Sequence, residues 1–221
     1  MQDVSHAKPT PTPRTMSRDS RRQQLIESTI ETLALRGYAR TTLADVARMA
    51  GLSQGLVNFH FATKENLLAE TLAYLAEEYR HNWSEALAVA GDDPARQLDA
   101  MIFADFNPAI CSPQRLSAWC SFWGETQCRP MYQDLCGSND EVYTRTMVQI
   151  CGRLIDQGAY DANSVLLARI IGATIEGVWL DLMTMSSPYG LNEALTTVRT
   201  CAAMAFPRHF GPDGVLQGLP D

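Results

Sequence analysis

Apolar positions recur at three- and four-residue spacing along most of the chain, which is the period of helices with one buried face. No segment shows the strict alternation of a half-buried strand, and no internal repeat stands out. Proline, glycine and capping residues, such as Ser20 with Gln23 in a capping box, punctuate the periodic runs. The pattern predicts an all-α fold with two short helices between positions 42 and 61 and longer ones over 20–37, 63–89, 94–106, 114–126, 131–156, 164–185 and 192–206.

The two short helices are joined by a glycine turn. Thr42 precedes the first helix as a capping residue, and Gly51 supplies the left-handed conformation that ends it. Ser53 caps the second helix, in which Val57 and Phe61 share one face that points back toward the first. This arrangement predicts a helix-turn-helix.

The opposite face of the second short helix carries side chains that packing alone does not require. At about 100° per residue, these side chains turn away from the apolar face. Gln54 and Asn58 can bond an adenine edge bidentately. Leu56 and Phe59 can contact a thymine methyl or a sugar, and Gly55 lets the backbone approach a duplex. The pattern favours DNA recognition, with an ordinary helical hairpin as the alternative.

The segment over 42–68 resembles the DNA-binding signature of the TetR family of bacterial repressors. It contains ADVARMAGLSQGLVNFHFATKENLL, in which a short recognition helix ends in H-F and a K-E-x-L-L helix follows. The resemblance implies an N-terminal three-helix helix-turn-helix domain and a C-terminal helical domain for ligand binding and dimerisation. It assigns phosphate-backbone contacts to Thr41, Thr42 and Lys64. It places in or beside the major groove Ser53, Gln54, Leu56, Asn58, Phe59 and His60.

One position departs from the family pattern, because most relatives carry a tyrosine where this chain has Asn58. The change puts the usual aromatic contact with the DNA backbone in doubt and favours a base contact by Asn58. It also leaves open a protein of another class, a helical small-molecule-binding protein whose head has lost its DNA activity.

The net charge of −7 is distributed unevenly over the 221 residues. Residues 1–64 carry nine lysines and arginines against five acidic residues, and the remainder carries nine against twenty. A basic head can supply phosphate contacts, while an acidic body repels DNA and suits a cationic effector. The predicted parts are a disordered basic arm, a helix-turn-helix DNA-binding domain, a ligand-binding and dimerisation domain and a mobile tail, over 1–19, 20–64, 65–206 and 207–221.

The first 19 residues are rich in proline, threonine and serine and contain no apolar run as long as a signal peptide or a membrane span. We therefore expect a soluble, cytoplasmic protein. Three interpretations of this segment stay open. The first is a disordered tail, and the second is an extension upstream of a translation start at Met16. The third is a basic arm that reaches into the minor groove with Lys8, Arg14 and Arg18.

Residues that typically perform catalysis or bind metals are scattered. The six cysteines include no C-x-x-C pair, and the four histidines lie far apart. Buried free thiols in a reducing cytosol explain the cysteines better than a metal site or a redox switch. No G-x-S-x-G or glycine-rich phosphate loop occurs, and no paired carboxylate set stands out. We therefore expect no cofactor and no metal, and an enzyme is the function least expected.

An aromatic cluster is predicted in the C-terminal part of the chain. It combines aromatic residues at the spacing of one helix side with an acidic and aromatic pair on a later helix, namely Trp119, Phe122, Trp123, Tyr132, Glu176 and Trp179. A quaternary ammonium ion cannot donate hydrogen bonds, so aromatic faces and a carboxylate are its best ligands. Aromatic residues at helical spacing are also typical of an ordinary core. Spacing alone leaves both interpretations open.

Three segments of this region resemble the BetI branch of the TetR family, which represses genes for choline uptake and for choline oxidation to glycine betaine. They are SAWCSFW, CRPMYQDL and IEGVWL, and the likeness then covers roughly 20–206. The resemblance implies a repressor that choline or a related quaternary ammonium effector releases from its operator. A repressor of a multidrug-efflux gene that senses lipophilic cations is the alternative. The implied ligand-binding residues are Asp105, Trp119, Phe122, Trp123, Tyr132, Glu176 and Trp179.

Small residues on the last two predicted helices indicate a dimer interface. Gly172, Ala173, Gly177, Ala202 and Ala203 lie there among larger apolar residues, so two copies can pack closely as a four-helix interface. The alternative is that they only ease packing within one chain. A homodimer would match a palindromic operator whose half-sites lie about 34 to 36 Å apart.

Overall fold

The computed structural model describes residues 17–125, 129–211 and 213–216. Helices form nearly every element of that part of the chain, and the predicted all-α fold is confirmed. They are α1 (Arg18–Arg40), α2 (Leu43–Ala50), α3 (Gln54–Phe61), α4 (Lys64–Val89), α5 (Pro94–Asp105), α6 (Pro113–Trp123), α7 (Arg129–Gly158), α8 (Ser164–Thr184) and α9 (Leu191–Ala205). A two-stranded antiparallel hairpin follows, formed by β1 (Phe210–Gly211) and β2 (Gly214–Val215).

The first helix begins at Arg18, ahead of the predicted start, because Ser17 is its cap. The Ser17 hydroxyl accepts a hydrogen bond from the Ser20 amide at 3.2 Å, so the capping box predicted for Ser20 and Gln23 is wrong. Gly37 has φ 73° and ψ 170°, a conformation that a residue with a Cβ rarely adopts. The resulting kink falls where the sequence predicted the helix to end.

The helix-turn-helix forms at α2 and α3 as predicted. The side chains of Thr42 and Ser53 cap these helices through hydrogen bonds from backbone amides, at 3.2 and 3.3 Å. Gly51 ends α2 with φ 66°, in the left-handed region. Val57 and Phe61 are 0% and 2% exposed, so this face of α3 packs into the interior.

The hydrophobic core of the head, which we define as α1 to α3, extends beyond these helices. Its buried side chains also come from the first half of α4 and from α6. Ala118 and Phe122 of α6 are 0% and 1% exposed, and the Phe122 ring meets Tyr38 of α1 edge-on at 5.9 Å. Although α6 lies in the C-terminal part of the chain, it therefore completes the core of the head.

A second core lies in the body, which we define as α5 and α7 to α9 with the second half of α4. Leu98, Met101 and Ile102 of α5 are fully buried there, together with Leu154 of α7 and Ile171 of α8. Because α4 contributes side chains to both cores, it connects the head to the body.

The segment after α9 is folded where the sequence predicted a mobile tail. His209 and Phe210 are 6% and 2% exposed, and the hairpin pairs Phe210 with Val215. This hairpin packs against α5 and α9. Its strands of two residues are too short to show an alternating pattern, which explains why no strand was predicted. The predicted segments that lie outside the described residues are the arm over 1–16, the end of the sixth helix at 126 and the tail over 217–221.

Candidate functional site

The outward face of α3 presents most of the side chains that the sequence assigned to DNA. Its inward residues, Val57 and Phe61, are buried, so the two faces divide as the pattern predicted. On the outward face, the exposed residues are Ser53, Gln54, Asn58 and Phe59, and the half-buried ones are Leu56 and His60.

Phe59 is a large apolar side chain that is 69% exposed on this face. Its ring centroid lies 5.8 Å from the Arg18 guanidinium at the start of α1 and 5.3 Å from the His60 ring. An exposed ring beside a guanidinium suits contact with a sugar or a thymine methyl next to a phosphate. Arg18, which the sequence placed in the disordered arm, thus adds positive charge to this surface.

His60 is held by the head. Arg22 donates from Nη1 to the His60 carbonyl at 3.4 Å, and the ring Nδ1 is buried without a hydrogen-bond partner among the described residues. Burial, followed by the charges of Arg18 and Arg22, lowers the pKa of His60, so its ring is neutral at pH 7. A neutral imidazole can contact a base or a sugar but adds no charge toward a phosphate.

The two threonines predicted to contact phosphates are placed differently. Thr41 is 1% exposed and its hydroxyl donates to the Gly37 carbonyl at 2.8 Å, so burial removes its side chain from the DNA-facing surface and corrects that prediction. Thr42 is exposed, and its hydroxyl donates to an Asp45 carboxylate oxygen at 2.7 Å. This hydrogen bond, with the Arg48 guanidinium nearby, lowers the pKa of Asp45. The phosphate contact of Thr42 stays a prediction.

Lys64 at the start of α4 binds the end of α1. Its ammonium group donates to the carbonyls of Tyr38 and Ala39 at 3.0 and 3.1 Å, and it lies 5.4 Å from the Tyr38 ring centroid. A cation is favourable at a helix C-terminus because the last carbonyls there lack helical partners. An ammonium has three N–H donors, of which these bonds use two, so the predicted phosphate contact remains compatible with the geometry.

A cavity of about 430 Å³ lies between α4, α6, α7 and α8, and we call it the aromatic cavity. Its aromatic lining consists of Tyr79, Trp119, Trp123, Tyr132, Tyr143 and Trp179. Its charged lining consists of Asp140, Arg169 and Glu176. Five of the predicted ligand residues therefore meet in one cavity, whereas Asp105 and Phe122 do not line it.

Two stacked indoles form the α6 side of the aromatic cavity. Trp119 and Trp123 have centroids 6.0 Å apart and planes at 28°, and Tyr132 of α7 meets Trp119 edge-on at 6.4 Å. Trp119 is 7% exposed and Trp123 is 44% exposed, so Trp123 lies at the mouth. The faces of such rings carry partial negative charge and attract cations.

A second aromatic group surrounds the carboxyl of Asp105, the last residue of α5. Tyr79 and Tyr143 donate their hydroxyls to its Oδ1 and Oδ2, at 2.7 Å each. The Trp179 indole N–H donates to the Asp105 backbone carbonyl at 3.1 Å. Because Asp105 is 0% exposed, it lies behind the rings that line the aromatic cavity. This position corrects the prediction that Asp105 contacts the ligand.

Two carboxyl groups line the aromatic cavity directly. Asp140 accepts a hydrogen bond from the Tyr132 hydroxyl at 3.1 Å, and Glu176 is an exposed side chain of α8. Partial desolvation in the cavity wall raises the pKa of both groups, and the charge of Asp140 raises that of Glu176 further. With one basic side chain, Arg169, the lining is net negative when both carboxyls are ionised. This charge favours a cationic ligand.

Among the aromatic and acidic residues of the aromatic cavity, the sequence analysis did not assign Tyr79, Asp140 and Tyr143 to a ligand site. Tyr79 of α4 is half-buried, with its hydroxyl on Asp105. Asp140 and Tyr143, three apart on α7, were overlooked. This spacing places an acidic and an aromatic residue on one helix face, which is the same signal that pointed to Glu176.

Phe122 was predicted to line a ligand site and instead packs in the core of the head, so that prediction is wrong. Its side chain is 1% exposed and contacts Tyr38. Successive helical residues are rotated by about 100°, so Trp119, Phe122 and Trp123 spread over a broad side of α6. That side is wide enough to present two indoles to the cavity and the phenylalanine to α1.

Other chemistry is sparse in the described part of the chain. No group of three or more histidine, cysteine, aspartate or glutamate side chains is placed there to bind a metal ion. None of the helices described combines the length and the hydropathy needed to cross a bilayer. Burial raises the pKa of the Cys111 thiol to about 12, with a further contribution from the charge of Asp105. Within the described residues, free thiols occur at Cys111, Cys120, Cys136, Cys151 and Cys201.

The structure combines a helix-turn-helix head, whose recognition helix is exposed, with a helical body that contains a charged aromatic cavity. This combination is typical of a ligand-responsive transcriptional regulator. Residues 25–71 match the bacterial regulatory proteins of the tetR family, and residues 94–207 match the C-terminal domain of BetI-type transcriptional repressors. The chain belongs to the TetR family, with a C-terminal domain of the BetI type.

Curated relatives agree with this assignment. The HTH-type transcriptional regulator BetI of Paraburkholderia xenovorans is 31% identical over 186 residues, covering 84% of this chain and 93% of the relative. BetI of Stenotrophomonas maltophilia is 31% identical over 160 residues, covering 72% of this chain and 80% of the relative. Both are transcriptional regulators and not enzymes, as expected for this chain.

Solved structures share the fold. A transcriptional regulator from Pseudomonas aeruginosa PAO1 has a TM-score of 0.73 at 22% identity, covering 87% of this chain and 93% of that one. A transcriptional regulator from Saccharomonospora viridis, in complex with choline, has a TM-score of 0.72 at 20% identity, covering 83% of this chain and 95% of that one. At this identity, the likeness establishes the fold alone.

Proposed function

We propose that this repressor controls genes for choline uptake and glycine betaine synthesis, and that choline or a related quaternary ammonium compound releases it from its operator. The observation that carries the proposal is the aromatic cavity, which combines six aromatic side chains with Asp140 and Glu176. A quaternary ammonium ion cannot donate hydrogen bonds, so ring faces and carboxylates are the groups that stabilise it. The BetI relatives and the choline-bound neighbour support this effector class.

The outward face of α3 forms the operator-binding surface in this proposal. Its exposure and the positive charges around it support contacts with both bases and phosphates. We assign base-edge contacts to Gln54 and Asn58, apolar contacts to Leu56 and Phe59, and contacts with the sugar-phosphate backbone to Thr42, Ser53, His60 and Lys64. The proposed location is the cytoplasm, where the operator lies.

A palindromic operator is matched by a twofold dimer, and TetR-family regulators bind their operators as dimers. We place the interface of the homodimer on α8 and α9. Leu166 and Ile170 of α8 are 52% and 54% exposed, and Met204 of α9 is 81% exposed. Gly172 and Ala173, which the sequence assigned to this interface, line the aromatic cavity. Sedimentation of a monomer at micromolar concentration would contradict the dimer.

Release from DNA is proposed to pass through α6. Trp119 and Trp123 of this helix line the aromatic cavity, whereas Phe122 packs in the head. Arg115 of the same helix forms an ion pair with Glu27 of α1 at 3.2 Å. A ligand that favours one position of the indoles therefore also favours one position of α1. Heads that no longer match half-sites about 34 to 36 Å apart lose the operator.

The test is an electrophoretic mobility shift with DNA from upstream of the protein's own gene. We expect sequence-specific, salt-dependent binding that choline reverses and that its neutral carbon isostere does not. The isostere carries a tert-butyl group in place of the trimethylammonium group. Specific binding that no quaternary ammonium compound affects would contradict the effector, and absence of specific binding would contradict the operator function.

A repressor of a multidrug-efflux gene is the second candidate, and the mouth of the aromatic cavity favours it. Trp123 is 44% exposed there, so a lipophilic cation larger than choline can extend past it into solvent. The same mobility shift with tetraphenylphosphonium distinguishes the two candidates. Release at a lower concentration than choline requires would favour the efflux function, and no release would exclude it.

A further inference from the structure

Asp105 connects three of the rings that line the aromatic cavity. Its carboxyl oxygens accept the hydroxyls of Tyr79 from α4 and Tyr143 from α7, and its carbonyl accepts the Trp179 indole from α8. The carboxyl itself is completely buried, so no ligand can touch it without displacing these rings. One buried acidic residue therefore bonds to the polar edges of three rings that line the aromatic cavity.

Asp105 forms no ion pair in the described part of the chain, and the two phenol hydroxyls are the side-chain groups that bond it. On the α9 side, the charge of Arg199 is paired with Asp99 at 2.8 Å. The ionisable groups that face this region from α4, the loop before α6, α7 and α8 are Tyr79, Cys111, Tyr132, Asp140, Tyr143, Arg169 and Glu176. Arg169 is the single basic group among them, so the surroundings leave the negative charge of Asp105 largely uncompensated.

We propose that Asp105 supplies the counter-charge for the bound cation through the hydroxyls of Tyr79 and Tyr143, and that a cationic effector binds with release of a proton from this carboxyl to solvent. The inference rests on the proposed function, because it takes a quaternary ammonium ion as the effector. In this inference, Asp105 selects a cation over a neutral molecule of equal shape, although Asp105 itself does not touch the ligand. Asp105 is thus a positioning residue that acts through two rings.

The physical basis is mutual polarisation. An ionised carboxylate attracts both hydroxyl protons, which increases the electron density of the two rings and strengthens their attraction for a cation. Burial raises the pKa of Asp105 to about 7, and the hydrogen bonds from Tyr143 and Tyr79 oppose this rise. Both protonation states are therefore populated near neutral pH. A cation favours the ionised state, and by linkage the ionised state favours the cation equally.

Calorimetric titration of choline and of its neutral carbon isostere measures the selection. Asp105→Asn removes the charge and keeps the shape, and Glu176→Gln is the matched variant on the lining. At pH 8 we expect Asp105→Asn to weaken choline binding about tenfold and to leave the affinity for the isostere within about twofold. Equal choline affinity of the wild type and Asp105→Asn would overturn the inference.

Proton release separates this electrostatic role from a structural one. Titrations at pH 7 in two buffers of different ionisation enthalpy report the protons that leave on binding. We expect the wild type and Glu176→Gln to release a fraction of a proton per choline, and Asp105→Asn to release none. Release that persists in Asp105→Asn and disappears in Glu176→Gln would assign the proton to Glu176 and overturn the inference.

A double variant provides a second route if Asp105→Asn does not fold. Tyr79→Phe with Tyr143→Phe keeps both rings and removes the hydroxyls, so we expect it to lose most of the preference for choline over the isostere. An unchanged preference would overturn the inference. A wild-type protein that binds neither choline nor tetramethylammonium would contradict the proposed function itself, whereas choline binding that is insensitive to Asp105 would contradict the further inference alone.

Discussion

Trp119 and Phe122 lie three residues apart on α6 and belong to different environments, since the indole lines the aromatic cavity and the phenylalanine ring packs against Tyr38 of α1. One helix therefore contacts both the aromatic cavity and the helix-turn-helix head. Arg115 at the start of α6 strengthens this connection, because its guanidinium bonds to acidic side chains of α1 and α4. Substitutions along α6 can therefore separate three properties, namely ligand binding, the stability of the fold, and the communication between the cavity and the head.

Arg115→Gln should weaken communication between the effector and the operator. It removes the ion pairs with Glu27 and Glu78, which have N–O distances of 3.2 and 2.7 Å. We expect choline affinity to stay within about threefold, while the choline concentration for half-release from DNA rises about tenfold. Calorimetry measures the first quantity and fluorescence anisotropy of labelled operator the second. Arg96→Gln, which removes an exposed pair with Asp93, is the control, and equal effects of both variants would contradict the role of Arg115.

Neighbouring residues of α6 should separate ligand binding from stability. Trp123→Ala removes a ring that is 44% exposed, so we expect choline binding about tenfold weaker with little change in the free energy of unfolding. Phe122→Ala leaves a cavity in the core of the head, and we expect a loss of about 3 to 5 kcal/mol in that free energy. Calorimetry and urea unfolding measure the two effects. Weaker choline binding by a Phe122→Ala protein of undiminished stability would contradict the assignment.

Lys64→Ala should affect both folding and DNA binding. Loss of the hydrogen bonds to the Tyr38 and Ala39 carbonyls should cost about 1 kcal/mol of stability. Loss of the proposed phosphate contact should weaken binding to all sequences and reduce the salt slope by about one unit.

Asn58→Ala should leave stability unchanged and relax specificity at one base pair, at a cost of about 1 to 3 kcal/mol for the cognate operator. Titrations of operator and unrelated DNA at several salt concentrations test this, and equal sequence-independent losses would exclude base contact by Asn58.

Asp105 should make the protein less stable as the pH rises. Burial raises its pKa from 3.8 to about 7, so the folded chain binds this proton more tightly than the unfolded chain. The Asp105 contribution to the free energy of unfolding therefore decreases between about pH 4 and pH 7, by about 4 kcal/mol in total. We expect the stability of Asp105→Asn relative to the wild type to increase over this range and then level off. Urea unfolding from pH 4 to pH 8 measures the difference.

Asp45 provides a control with the opposite sign. The Thr42 hydrogen bond and the Arg48 guanidinium lower its pKa, so its stabilising contribution is present above about pH 4 and is lost as the pH falls. Asp45→Asn should therefore lose stability at neutral pH relative to the wild type. A constant difference between Asp105→Asn and the wild type at every pH would show that the Asp105 carboxyl has the same pKa in the folded and unfolded chains.

Phe210→Ala tests whether the hairpin is part of the body. This side chain is 2% exposed and packs in the second core, so we expect a loss of about 3 to 5 kcal/mol in the free energy of unfolding. Leu216→Ala, at a residue that is 41% exposed, is the control and should cost less than about 1 kcal/mol. Urea unfolding of both variants measures the difference. Equal stability of the two variants would contradict the packing of the hairpin and would favour the mobile tail that the sequence predicted.

Within the helix-turn-helix, the features set by neighbouring residues were predicted well from the sequence. The caps at Thr42 and Ser53 and the left-handed Gly51 act within a few positions, so the boundaries of α2 and α3 follow from local chemistry. The burial of Val57 and Phe61 also follows, because four-residue spacing places them on one face of a short helix.

Features that depend on residues distant in the sequence were not predicted. Tyr79 and Tyr143 lie 26 and 38 positions from Asp105, so no sequence window shows that the three groups meet. Helical spacing placed Trp119 and Phe122 on one side of α6, yet it could not show that this side touches two different neighbours. The partners of a helix face depend on the tertiary arrangement of the other helices, which the hydrophobic period does not encode.

Because α6 packs onto α1, the DNA-binding segment cannot be exchanged between regulators without changing the contacts of α6. A chimera that joins the first 64 residues of another regulator to this body would place a foreign surface against Phe122 and leave Arg115 without Glu27. A crossover that preserves these contacts must transfer α6 together with α1 to α3. Under the proposed function, operator preference and effector preference would therefore be transferred together, because the 11-residue helix α6 packs against both the head and the aromatic cavity.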